Sequence, residues 1–219
     1  MKVKSNLDAI IYEHIVDSLI LGEYSMGQTI LLDEFAEKYE VSRTPVTQAV
    51  KLLVSDGLLE AMSNGRVRVP VFDKEQMRKI CEVRLLMENY AVEKIFEMGK
   101  AGDGLCQTLQ TIADQGIQAL HGGDKLKFNR RDLEFHNTLI GACGNEYLSS
   151  EYKRIQGKFI VANYLIEPLE GRNFEKAAQS HLHFTELMAQ EKKEECQKVL
   201  REHIFSFSTP FDGKGISGT

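Results

Sequence analysis

Residues 40–60 read EVSRTPVTQAVKLLVSDGLLE. Val46, Ala49, Val50 and Leu53 recur at helical spacing and form one apolar stripe. Ser42 is a favourable N-cap, and Pro45 falls in the first turn, where its missing N–H costs nothing. Gly57 ends the helix, since glycine enters the left-handed C-cap conformation without strain. The polar residues at the start of this helix, Ser42, Arg43, Thr44, Thr47 and Gln48, lie off the stripe and are not needed by a core.

Working outward, the rows Ile11, Ile15, Leu19 and Ala9, Tyr12, Val16, Ile20 predict an amphipathic helix over 8–21, ended by Gly22. A short helix is predicted from Leu32 to Tyr39, burying Phe35 and Ala36. Downstream, LLEAM and RVRVPV alternate around Ser63, Asn64 and Gly65, which predicts a two-stranded hairpin. Three short helices and a hairpin, with a tight turn between the second and third helices, make a winged helix-turn-helix. Such a recognition helix fits the major groove and offers its N-terminal residues to bases or phosphates. The hairpin tip, with Gly65 and Arg66, can reach the adjacent backbone or minor groove. The alternative is a small helical domain with an ordinary polar face.

Charge sharpens this reading. The chain of 219 residues carries 27 Lys and Arg against 32 Asp and Glu, so a uniformly basic nucleic-acid binder is excluded. Residues 1–40 hold three basic and eight acidic side chains, but residues 41–70 hold four basic (Arg43, Lys51, Arg66, Arg68) and two acidic (Asp56, Glu60). Any contact with DNA is therefore expected from 41–70. No apolar run approaches the roughly 18 residues of a membrane span. The first twenty residues lack a continuous apolar segment, because Asp8, Glu13, His14 and Asp17 interrupt it, so a secretory signal is not expected. The four cysteines form no C-x-x-C pair and read as reduced thiols of a cytoplasmic protein.

From Asp73 onward strand signals vanish. A long helix is predicted over 73–98, with Met77, Ile80, Leu86 or Met87, Tyr90, Ala91 and Ile95 facing inward. Further helices are expected near 103–121, 125–142, 146–166, 173–190 and 192–207, separated by Gly122-Gly123, Gly141 to Asn145, and Pro168 to Gly171. The expected architecture is mainly α: a winged helix-turn-helix over 1–72, an all-α bundle over 73–208, and a disordered tail over 209–219.

Six histidines occur, and four residues stand out. Asp132 and His136 are four apart and share a helix face. His181 and His203 belong to the last two predicted helices. One carboxylate and three imidazoles from three helices could converge on one cation and suit Zn, Ni, Mn or Fe(II). Spacing alone leaves ordinary surface or core histidines as the competing reading. His183, two residues from His181, points elsewhere, and His14 and His121 lack partners in the pattern.

The stretch from Ile11 to Val69 resembles the DNA-binding domain of the GntR family of bacterial transcription regulators. VSRTPV (41–46) and DGLLE (56–60) carry the resemblance, and LILGEYSMGQTI (19–30) and NGRVRV (64–69) match less tightly. The remainder is similar to the effector domain of the FadR subfamily, the FCD domain. Its matching words are RLLME (84–88), DLEFH (132–136), GNEYL (144–148) and the pair His181 and His203.

The resemblance implies a homodimeric regulator of operator DNA, read here as a repressor, and no enzymatic activity. It implies that Asp132, His136, His181 and His203 bind a divalent metal. It also implies a small organic acid as effector, bound through a carboxylate on that metal, with Arg84 as a candidate second contact. A surface or interhelical ion pair is the competing role for Arg84. The rival functions are direct metal sensing and a helical metalloenzyme. The latter has no H-E-x-x-H pattern and no Gly-rich phosphate loop behind it. Three departures from the family stand in the DNA-binding half. Thr47 replaces a frequent Arg, Asp33 stands where a phosphate-binding Arg is frequent, and Glu40 replaces a turn Gly. They point to an altered half-site or weaker binding, with Arg43 as the main reading residue.

Overall fold

A computed structural model describes residues 7–166 and 174–206. The first helix, α1 (Leu7–Ile20), buries Ile11, Ile15, Val16, Leu19 and Ile20. It packs across α3 (Arg43–Ser55), whose buried residues are Val46, Ala49, Val50 and Leu53, the stripe expected from the sequence. Between them lies α2 (Leu32–Lys38), anchored by Leu32 and Phe35. Glu40, in the turn from α2 to α3, has φ +53°. A non-glycine residue there carries strain of about 1 kcal/mol. Ser42 occupies the N-cap position of α3 with extended backbone, but its side chain makes no capping bond. Gly57, at φ +78°, follows the Asp56 C-cap.

The expected hairpin is β2 (Glu60–Ala61) and β3 (Arg66–Arg68). A single 3₁₀ turn at Ser63–Gly65 joins them. The sheet is larger than the hairpin. β1 (Thr29–Leu31) pairs antiparallel with β3, giving the order β1-β3-β2. Three residues are too few to show period-two alternation, so β1 left no periodic signal. Its central Ile30 is buried opposite Val67.

After Phe72, Asp73 caps α4 (Lys74–Glu97) through a reciprocal bond pair with Gln76. The helices α5 (Asp103–His121), α6 (Lys125–Ala142), α7 (Glu146–Ile166), α8 (Phe174–Ala189) and α9 (Lys193–Ser206) complete the bundle among the described residues. The expected separator at 168–171 and tail at 209–219 lie outside the described residues. The buried stripe of α4 is Met77, Cys81, Arg84, Glu88, Ala91 and Ile95 with its neighbours. Of the alternatives Leu86 and Met87, Met87 is half-buried against the core and Leu86 is 71% exposed, while Tyr90, expected inside, is 40% exposed. Two charged residues occupy the inward row at its centre, so an apolar count chose the wrong face there.

The two halves share one core. Leu133 of α6 and Ile160, Val161 and Tyr164 of α7 join the cluster built on α1, α3 and the sheet. Polar contacts reinforce the junction. The Arg130 guanidinium of α6 donates to the Glu13 carboxylate, to the Glu13 carbonyl and to Asp17, all on α1.

Candidate functional site

The start of α3 and the wing tip form one surface. Ser42, Arg43, Thr44 and Gln48 are exposed, as are Gly65 and Arg66. Gly65 has φ +70°, and a Cβ built on it would lie 3.5 Å from Arg43 Nη2. The Arg43 guanidinium therefore stands beside the wing. Two details qualify the row of polar side chains. The Thr47 hydroxyl donates to the Arg43 carbonyl at 2.8 Å, and the residue is half-buried. Arg43 Nε lies 3.4 Å from the Asp33 carboxylate, with both side chains largely exposed. The acidic departure at 33 thus partners the arginine expected to read DNA.

The second site lies inside the bundle. Asp132 and His136 project from α6, His181 from α8 and His203 from α9, and all four are buried. His136 Nε2 lies 3.1 Å from His203 Nε2 and 3.2 Å from His181 Nε2, and the His181 and His203 nitrogens are 3.2 Å apart. Asp132 Oδ1 lies 3.5 Å from both His181 Nε2 and His203 Nε2 and has no hydrogen-bond partner among the described residues. Metal–nitrogen bonds of about 2.0–2.1 Å set neighbouring donors roughly 3–3.4 Å apart, so this donor set fits one divalent cation. Three imidazoles and one carboxylate, with all ligand atoms within 4.8 Å of one another, are also the right chemistry for it. His183, in contrast, sits on the surface beside Glu186, and His121 beside Glu175.

Burial and charge oppose one another here. Burial alone would raise the Asp132 carboxyl, but His203, His136 and His181 hold it well below the usual carboxylate range. Burial pushes the His181 imidazole well below its ordinary value, with His203 adding to the effect. His136 is lowered by burial and by Arg84, against the pull of Glu88. Asp132, His136 and His181 are thus all shifted towards the deprotonated forms that a metal requires.

Arg84 is fully buried, where the sequence allowed a surface role. Its Nε donates to Glu88 at 2.6 Å and approaches the Tyr152 hydroxyl at 3.2 Å. Its guanidinium stacks over Phe159 at 4.1 Å. Nη1 and Nη2 have no hydrogen-bond partner among the described residues. Glu88, given no role by the sequence reading, is the fifth member of the site. It binds His136 Nδ1 at 2.6 Å. The available signal was an acid four residues after an arginine inside an otherwise apolar row.

Two family models match the chain. Residues 7–69 match the bacterial regulatory proteins of the gntR family, and residues 79–206 match the FCD domain. Among curated relatives, the Nta operon transcriptional regulator of Aminobacter aminovorans is 27% identical over 81% of this chain and 81% of its own. The gluconate operon transcriptional repressor of Bacillus licheniformis is 25% identical over 72% of this chain. That match spans 63% of the repressor, slightly under two thirds of its length. Among solved structures, E. coli McbR/YncC superposes with a TM-score of 0.76 at 21% identity, covering 90% of this chain and 93% of that one.

Proposed function

Because the chain belongs to the GntR family of bacterial regulatory proteins and carries its FCD domain, we propose that it is a repressor controlled by a small organic acid bound at a divalent metal. The chain is a DNA-binding transcription regulator and not an enzyme. On this reading residues 1–72 hold the DNA-binding domain and 73–208 the sensing domain. Asp132, His136, His181 and His203 hold the cation. No helix among the described residues is long and apolar enough to cross a membrane.

One observation carries the reading. Beside a cluster of four potential metal ligands lies a buried arginine whose two terminal nitrogens lack hydrogen-bond partners among the described residues. A buried donor left unpaired costs roughly 1–3 kcal/mol, and more when charged. A carboxylate ligand satisfies both nitrogens at once in the bidentate geometry that guanidinium favours. A second oxygen of the same acid is a hard ligand for a cation that retains open positions. A bare metal sensor would leave those nitrogens unpaired, so the arginine favours an acid over the cation alone.

Dimerisation has support in the exposed row Val83, Leu86 and Tyr90 of α4. An antiparallel copy centred on Leu86 sets Lys79, seven residues before it, against Glu93, seven residues after it. A two-fold protein reads two half-sites, which a single short helix cannot.

The experiment is fluorescence anisotropy of the purified protein on labelled DNA from upstream of its own gene, at fixed salt with excess competitor. Organic acids are then screened for release of the DNA. An acid that releases wild type should leave the His136→Ala/His203→Ala variant bound. A double variant that responds normally removes the metal from the mechanism. Zinc at a hundredfold over its Kd should stabilise the wild type by about 2.7 kcal/mol and leave the double variant unchanged.

A further inference from the structure

Glu88 sits on α4, four residues after Arg84, and is fully buried. Its two oxygens have separate partners. Oε1 accepts from Arg84 Nε and from the Tyr152 hydroxyl, each at 2.6 Å. Oε2 meets His136 Nδ1, also at 2.6 Å. With a guanidinium and a phenol donating to one oxygen and an imidazole turned to the other, the group is placed as an acceptor. An acceptor-only carboxylate requires the imidazole nitrogen facing it to carry the proton. That leaves His136 Nε2 with a free lone pair, directed at the Nε2 atoms of His181 and His203.

Resting on the metal reading above, we infer that Glu88 is a positioning residue of the centre: it fixes His136 as the Nδ1–H tautomer and tethers Arg84 by Nε alone. The competing role is that of a counterion to Arg84, a purely structural one. The two roles separate at His136. A counterion needs only to neutralise the guanidinium, and the tautomer and basicity of His136 would not depend on it. A positioning carboxylate fixes both, and outer partners of this kind are worth about 10–100-fold in metal affinity. The same side chain gives the arginine its geometry. With Nε held by Glu88 and the guanidinium plane laid on Phe159, only Nη1 and Nη2 remain for a ligand. One carboxylate thus sets the orientation of a metal ligand and of the proposed acid contact.

Two measurements on the full chain test this. The first needs no variant at the site. Histidine ¹⁵N chemical shifts and two-bond couplings of metal-free wild type at pH 8, with His136 assigned by its loss in His136→Gln, should show protonated Nδ1 and bare Nε2. An Nε2–H tautomer overturns the inference. The second compares zinc binding by chelator competition in wild type and Glu88→Gln. Zinc should bind the variant about 10–100-fold more weakly while the helical circular dichroism is unchanged. Equal affinity overturns the inference alone. If wild type itself binds no zinc, manganese or nickel, the metal reading falls first. If Glu88→Gln fails to fold, the wild-type tautomer still decides.

Discussion

The Asp56 carbonyl, at the end of α3, lies so close to Gly157 of α7 that a Cβ on Gly157 would stand 1.8 Å from the carbonyl oxygen. Here the recognition helix touches the bundle backbone to backbone. The neighbouring Gly57 is confined less severely, 3.1 Å by the same measure from the Arg154 carbonyl. Tyr12 of α1 fixes the Asp56 side chain from the other side through a 2.9 Å hydrogen bond. A methyl group at 157 cannot be absorbed by a rotamer change, because the atom it meets is backbone. Gly157→Ala should therefore part the two halves while the bundle keeps its helices, since alanine favours a helix by about 1 kcal/mol over glycine. Limited proteolysis near Phe72 should accelerate in the variant. Unchanged cleavage and unchanged DNA affinity would show that the junction tolerates the methyl.

Arg130 ties the same junction from α6. It stands two residues before Asp132, and its guanidinium grips Glu13 and Asp17 of α1. One rigid helix thus carries a proposed metal ligand and a clamp on the DNA-binding half. Arg130→Gln should leave zinc affinity within about twofold of wild type, since the ligands are untouched, yet reduce the response of DNA binding to the effector. Coupling between such sites is typically 1–3 kcal/mol, so about a fivefold or greater loss of response is expected. A full response in the variant would place the coupling elsewhere.

Asp33 faces Arg43 across 3.4 Å on the surface proposed to meet DNA. The pair itself is exposed and adds little to stability. Near phosphate the carboxylate repels, and it competes for the arginine. Asp33→Asn should tighten DNA binding severalfold at low salt, with the gain shrinking as salt rises. Arg43→Ala should weaken binding and, if the residue contacts a phosphate, lower the salt slope by about 1. Identical titrations for Asp33→Asn and wild type would mean that Asp33 stays clear of the duplex.

The thiols offer a check on the core. Burial pushes Cys81 up to about 11 and Cys196 up to about 12. A raised thiol pKa lowers the thiolate fraction, and the thiolate is the nucleophile. At pH 8 both residues should resist maleimide in the folded protein and react at once in denaturant. Raising the pH towards 10 should speed Cys81 before Cys196. Prompt labelling of either at pH 8 would contradict the packing described.

The helical framework was legible because its stripes are long and their breakers are unambiguous. The α3 stripe from Val46 to Leu53, with Ser42 at the N-cap position and Gly57 just past the Asp56 C-cap, bounded that helix. The metal cluster was legible only as spacing plus resemblance, because α8 and α9 must fold back to bring His181 and His203 to α6. Glu88 escaped for the reason that Tyr90 misled. Hydrophobic periodicity assigns apolar residues to the inside, and α4 turns an ion pair inward at Arg84 and Glu88. β1 escaped because three residues pair by tertiary contact rather than by a pattern of their own.

The donors of the candidate metal cluster also differ in what holds them when no cation is bound. His136 is pinned by Glu88, itself fixed between Arg84 and Tyr152, so α4, α6 and α7 are stitched together by the chain's own groups. His181 and His203 bring their donor tips to His136 and Asp132 from α8 and α9, and His181 also stacks on Phe135 of α6 at 4.1 Å. Chelation should then loosen the molecule in a fixed order. Amide protons of α8 and α9 should exchange with deuterium sooner, while those of α4 and α7 keep their protection.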